Sequence, residues 1–284
     1  MEVAQKTYIC CFWKICNMKE NLIRALSGAM YVSILVVSIF SSELAFTTLF
    51  LIFGIFCLRE LLRLLHLKSY LSYFLLFGLF YLFSYLRWNP AATMALLLIT
   101  IFVNMFLVKD LMLVHKIPLF EKKKYIIIIF YLIASLIFLT LIPSYTGDFI
   151  PELVIGIFSL IWINDTFAYL VGKNFGRHKL FERISPKKTV EGFLGGVIAT
   201  AFAGYLVHFF TGLLSLEAWL GMAVILSVFG TLGDLIQSKF KRQAGVKDSG
   251  RLMPGHGGLF DRLDSIIFSS PFVYAYLQML NYVS

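Results

Sequence analysis

The chain has 284 residues, 59% of them hydrophobic and 14% charged, with a mean hydropathy of +0.82. A soluble domain carries about 45–50% apolar and about 25% charged residues, so a soluble globular enzyme, a disordered chain and a protein with a single membrane anchor are excluded. The net charge is +9, from 25 Lys and Arg against 16 Asp and Glu. In so apolar a chain, that excess implies anionic partners, a strong topological bias, or both.

Three of the four cysteines, Cys10, Cys11 and Cys16, crowd the start of the chain, and the fourth is Cys57. Neither a disulfide scaffold nor a zinc site follows from that spacing. Residues 1–21 read as a short cytoplasmic arm, with Met18 as an alternative start just before the first apolar run. No cleavable signal peptide is expected.

A helix crosses a bilayer core with about 20 mostly apolar residues. Nine runs qualify as spans: Leu22–Phe40, Leu44–Leu65, Tyr70–Leu86, Ala91–Leu113, Tyr125–Ile142, Glu152–Gly172, Gly192–Leu213, Ala218–Gln237 and Asp264–Tyr282. The third is short, and Ser269, Ser270 and Pro271 interrupt the ninth. The runs are continuous rather than alternating, so no strand is expected anywhere. Lysines and arginines fill the arm and every second loop, leaving Arg87 alone on the other side. The split places the N-terminus in the cytoplasm and the C-terminus outside. The expected fold is therefore all-α and polytopic, with about nine transmembrane helices. Residues 22–150 form an N-terminal set of helices. Residues 151–284 form a C-terminal region, with polar loops at 173–191 and 238–263 where any chemistry would sit.

The second loop and its flanks concentrate four Asp, six Lys or Arg and one His between Gly233 and Ser265. On a helix, Asp234, Ser238 and Lys241 share a face, as do Asp261, Asp264 and Ser265. Carboxylates at the mouths of two helices suit a hard cation such as Mg²⁺. Lys241, Arg242, Lys247 and Arg262 suit phosphate oxygens. The turn Pro254-Gly255-His256-Gly257-Gly258 would free backbone N–H groups for a phosphate. Asp165 and Asp234 lie inside apolar spans, where acids are costly and therefore candidates for function. In the first loop, Ser185-Pro186-Lys187-Lys188-Thr189 precedes a helix and could cradle phosphate. Each feature also has a plainer reading: an Asp-Arg pair as a cap or surface ion pair, the glycines as a tight turn, Glu191 as a helix-start acid, the basic loops as topology signals. Gly192, Gly195 and Gly196 read as helix-packing glycines. Neither a Walker A pattern nor a His-x-x-x-His pair occurs, which disfavours a P-loop NTPase and a zinc hydrolase.

The run Ser238-x-Phe240-Lys241-Arg242-x₄-Lys247-Asp248-x-Gly250-x₃-Pro254-Gly255-His256-Gly257-Gly258-x₂-Asp261-Arg262-x-Asp264 resembles the signature of the phosphatidate cytidylyltransferases, also called CDP-diacylglycerol synthases. Asn164-Asp165-Thr166-Phe167-Ala168-Tyr169 and Ser185–Gly192 are similar to that family too. The resemblance covers roughly Gly156–Pro271, and earlier residues match only in hydropathy. Gln237 departs from the pattern, where an acid is expected. The resemblance implies transfer of CMP from CTP to phosphatidic acid, giving CDP-diacylglycerol and pyrophosphate, with Mg²⁺ and room for a second cation. It implies that Asp234 and Asp261 hold the metal, with Asp165, Asp248 and Asp264 in second rank. It assigns Asp234, Lys241, Arg242, Asp248, Asp261, Arg262 and Asp264 to catalysis. Lys187, Lys188, Ser238, Lys247, His256, Gly257 and Gly258 would bind substrate phosphate. It further implies a multi-pass protein of a bacterial-type cell membrane, active at the cytoplasmic face. Membrane lipid would be a partner, a homodimer the assembly, and nucleic acid no partner.

Overall fold

A computed structural model describes residues 2–255 and 257–283, with side chains described from residue 22 to residue 282 apart from His256. Among the described residues the chain forms nine helices and one small hairpin. The helices are α1 (Glu2–Ser41), α2 (Glu43–Leu64), α3 (Leu71–Tyr85), α4 (Pro90–Leu113), α5 (Glu121–Ser144), α6 (Pro151–Phe175), α7 (Val190–Thr211), α8 (Leu216–Gln243) and α9 (Phe260–Val283). Seven of these are long and apolar enough to cross a membrane, as in a polytopic membrane protein. The third apolar run is indeed short: α3 has 15 residues, or about 22 Å of helix.

Local chemistry sets the helix starts. Ser42, Asn89, Thr189 and Ser215 each accept a backbone N–H from the first turn of the helix that follows, satisfying donors that have no partner within the helix. Pro90 and Pro151 occupy first-turn positions where the missing N–H costs nothing.

One expectation fails in the loop between α6 and α7. Lys179–Phe181 (β1) and Ser185–Thr189 (β2) pair antiparallel, with Lys179 opposite Thr189 and Phe181 opposite Ser185. The strands lie outside the apolar runs, so hydropathy carries no signal for them. A second difference concerns Pro271, which lies inside a continuous α9 rather than breaking it. Proline leaves the carbonyl of Ile267 without its helical donor, and the Ser270 hydroxyl lies 3.0 Å from that oxygen. The same hydroxyl is 2.6 Å from the Ser135 carbonyl, which joins α9 to α5.

Helix α5 is the hub, with 78% of its apolar window buried against 22–50% for the other six membrane-length helices. Its π-helical stretch Ile127–Ala134 and the turns after it pack against α2, α3, α4 and α9. Helices α6 to α9 pack in chain order, each against the next. The most extensive packing is between α6 and α7, where the glycines sit as the sequence reading places them. A Cβ on Gly195 would lie 2.6–2.8 Å from the Val171 side chain, and one on Gly196 would lie 2.7 Å from Asn164 Oδ1.

Polar ties hold the two halves of the chain together at the end that carries the loops. Buried Lys239 donates to the carbonyls of Asp110 (2.6 Å) and Val114 (2.6 Å) at the end of α4. Gln243 pairs twice with the backbone of Ile117, at 3.1 and 2.8 Å. Around the outside, α1, α4 and α7 expose Leu26, Met30, Val37, Phe102, Ile198, Phe202 and Phe209. An apolar surface of that extent fits hydrocarbon, not water.

Gly195→Val should force α6 and α7 apart and cost about 1–3 kcal/mol. The thermal transition of the detergent-purified protein would show it as a lower midpoint.

Candidate functional site

The polar loops and the mouths of α6, α8 and α9 enclose a large cavity of about 710 Å³. Five carboxylates face it: Asp165 from α6, Asp234 from α8, Asp248 from the loop, and Asp261 and Asp264 from α9. Six cations face it as well: Lys173, Lys179, Lys187, Lys188, Lys241 and Arg262. Asp165 lies ten residues before the end of α6, about 15 Å in by helix rise. The cavity therefore reaches well into the apolar bundle.

The hairpin explains how the first loop contributes. Strand β2 carries Lys187 and Lys188 to the cavity edge, and Thr189 then caps α7 through its hydroxyl, 3.1 Å from Gly192 N. Lys188 Nζ stands 2.5 Å from Asp234 Oδ2. The other oxygen of Asp234 accepts the Ser238 hydroxyl at 3.3 Å. Further along α8, Lys241 Nζ lies 2.8 Å from Asp261 Oδ1 and 2.8 Å from Gln237 Oε1. Gln237, at the position where the family pattern suggests an acid, is a neutral anchor for Lys241. Its amide places the ammonium beside Asp261 without adding a competing charge.

Asp261 is the most heavily engaged of the five cavity acids. Its Oδ2 accepts the backbone N–H of Ser249 (2.9 Å) and of Gly258 (3.1 Å) while Oδ1 holds Lys241. In the glycine turn, the backbone N–H groups expected to face phosphate are hydrogen-bonded within the protein. The Gly257 N–H donates to the Met253 carbonyl at 3.1 Å, and Gly258 donates to Asp261. Both bonds shape the loop. Gly257 adopts φ +91°, a backbone region that only glycine enters cheaply. Arg242 and Lys247 are exposed and lie outside the cavity lining, while Ser238 reaches it only through Asp234. His256 lies outside the described residues.

A residue that the sequence reading passed over organises this loop. Glu60, buried on α2, accepts the Ser249 hydroxyl at 2.6 Å, Leu259 N at 3.2 Å and Phe260 N at 3.0 Å. Leu259 N and Phe260 N belong to the start of α9, where backbone donors have no acceptor within the helix. A carboxylate there also meets the positive end of the helix. Gly250 and Gly258 press against Glu60 so closely that a Cβ on either would collide with the carboxylate. The signal is present in the sequence: Glu60 is an acid inside an apolar span, as Asp165 and Asp234 are.

Comparison with known proteins follows the same residues. The model of the cytidylyltransferase family matches residues 22–280. The chain belongs to the cytidylyltransferase family. A phosphatidate cytidylyltransferase of Staphylococcus aureus (strain COL) is 50% identical over 116 residues, 40% of this chain and 44% of that protein. One of Staphylococcus haemolyticus (strain JCSC1435) is 51% identical over 116 residues, with the same shares. The matched stretch thus spans less than half the length of these relatives.

The donor set suits Mg²⁺ in kind, since hard carboxylate oxygens crowd the cavity. Among the described residues no three acidic, His or Cys side chains converge closely enough to hold a metal ion by themselves. Mg²⁺ is typically held by one or two carboxylates, with substrate phosphates and water completing the shell. An open, substrate-completed site is therefore the kind of metal site this cavity can offer.

Glu60→Gln would set an amide NH₂ against backbone donors and leave one of them unsatisfied. Stability should fall by about 2 kcal/mol, read as a lower thermal midpoint. Amide hydrogen exchange should quicken first at Leu259 and Phe260, and not in α4.

Proposed function

We propose that this protein is a phosphatidate cytidylyltransferase, transferring CMP from CTP to phosphatidic acid with release of pyrophosphate. The observation that carries the reading is the cavity in which five carboxylates and six cations meet at the end of an apolar bundle. Family membership and the part-length similarity to the staphylococcal enzymes support it.

A phosphate oxygen of phosphatidate attacks the α-phosphorus of CTP, and the bond from that phosphorus to the pyrophosphate oxygen breaks. Both reactants are anions, so the site must neutralise charge and align them more than supply a strong base. Mg²⁺ would be held by Asp234 and Asp261, with Asp165, Asp248 and Asp264 nearby, and would supply charge neutralisation for the triphosphate and the leaving pyrophosphate. Each of the two principal acids already carries one lysine, Lys188 on Asp234 and Lys241 on Asp261. On substrate binding these ammonium groups would pass from carboxylate to phosphate oxygens. Lys187 and Arg262 line the same space and would bind phosphate beside them. Tyr169 lines the cavity and is 64% exposed on the outer face of α6. That side would admit the lipid laterally from the bilayer, so that its acyl chains never leave hydrocarbon.

The same reading places all nine helices across a bacterial-type cell membrane, with the N-terminus and the cavity on the cytoplasmic side and the C-terminus outside. Two copies would form the homodimer that the family resemblance implies.

Purified membranes should convert phosphatidate to CDP-diacylglycerol only when CTP and Mg²⁺ are both present, and a chelator should stop the reaction. Asp261→Asn should abolish turnover while the protein still inserts and purifies; normal turnover would remove Asp261 from the metal assignment. Lys241→Ala should raise the concentration of CTP or phosphatidate required. Unchanged affinities and rate in that variant would contradict the phosphate role.

A further inference from the structure

A second cavity, of about 440 Å³, lies on the other side of the loop that Glu60 anchors. Arg59 and Arg63, one turn apart on α2, and Arg251 from the loop line it, together with Phe56 and Leu252. All three arginines are exposed, and among the described residues none makes an ion pair or side-chain hydrogen bond. The one acid in the lining is Glu60, whose carboxylate is directed into the loop by Ser249, Leu259 and Phe260. Three guanidinium groups therefore face one small space with a single, already committed, counter-charge. Such a fork-lined pocket selects phosphate oxygens.

We propose that this cavity binds the phosphate headgroup of an anionic glycerophospholipid. A lipid is favoured over a free anion because apolar side chains adjoin the arginines. Phe56 lies in the lining, Leu252 is 47% exposed beside Arg251, and Ile52, seven residues before Arg59 on the same helix, is 44% exposed. The arginines also sit at the end of a membrane-length apolar helix, the depth of a headgroup layer. The site is separate from the reaction cavity but shares its loop: Asp248 faces the first cavity, while Gly250 and Arg251 face the second. A bound headgroup would hold the loop from behind.

Binding is read without turnover, so the test is independent of cytidylyl transfer. The full-length protein would be reconstituted in phosphatidylcholine nanodiscs with graded phosphatidylglycerol, and retained lipids counted by native mass spectrometry. Wild type should retain phosphatidylglycerol in preference to phosphatidylcholine. Each of Arg59→Gln, Arg63→Gln and Arg251→Gln should weaken that preference about fivefold, and the triple variant should reduce it to what the first cavity alone retains. Asp165→Asn, which faces the other cavity from α6, should keep it. Should the triple variant fail to fold, Arg251→Gln alone, on the exposed loop, carries the test. A wild type without preference, or an Arg251→Gln variant with the full preference, would overturn the proposal. So would protection of these arginines from phenylglyoxal by millimolar inorganic phosphate in pure phosphatidylcholine with no further protection by phosphatidylglycerol, which would assign the site to a soluble anion.

Discussion

One buried carboxylate holds the functional end of this molecule in shape. Glu60 leaves water for the interior of the bundle, a transfer that costs several kcal/mol unless its oxygens are well partnered. The partners it finds are a serine hydroxyl and two N–H groups at the start of α9. The same bonds satisfy donors that the helix itself cannot. Through them α2, from the first half of the chain, fixes the loop and the helix that present Asp248, Asp261, Arg262 and Asp264 to the cavity. Lys239 and Gln243 make comparable ties from α8 to the end of α4 and the segment after it. The N-terminal helices are thus a scaffold for the C-terminal site, although they share little with it in sequence pattern.

Two of the five cavity carboxylates are paired with lysines. Asp234 has Lys188 and Asp261 has Lys241. Stored this way, these carboxylates and lysines avoid the cost of unpaired burial, and on the proposed function both would become available to a metal-bound nucleotide and an anionic lipid that bring their own opposite charges. The basic residues behind the +9 net charge fall into three groups: some lie in the loops between the helices, six line the first cavity, and three arginines stand around the second cavity behind the loop.

Much of this is legible in the sequence. The apolar runs locate most of the helices to within a few residues, because continuous hydropathy is a strong signal; α1, which starts at Glu2 instead of Leu22, and α8, which runs on to Gln243, extend into polar sequence that hydropathy does not mark. The density of Asp and Lys in two loops locates the cavity, and the intramembrane acids Asp165 and Asp234 both face it. What escapes a sequence reading depends on contacts between distant residues. Glu60 meets Ser249 across 189 positions, a partnership that no local spacing encodes. The β1–β2 hairpin is too short and polar to register in a hydropathy pattern. Gly257 and Gly258 suggest free N–H donors, but here they donate hydrogen bonds to the Met253 carbonyl and the Asp261 carboxylate. Arg242 and Lys247 belong to the same motif as Lys241, yet helix rotation and loop direction leave them outside the lining.

The most direct test of cytidylyl transfer follows the two ends of the nucleotide separately. Purified protein, phosphatidate and Mg²⁺ would be given CTP labelled at either the α- or the γ-phosphate. Cytidylyl transfer predicts that the α-label enters the lipid as CDP-diacylglycerol while the γ-label leaves as pyrophosphate, in equal amounts. Transfer of the γ-label to lipid with release of CDP would show a kinase and contradict it.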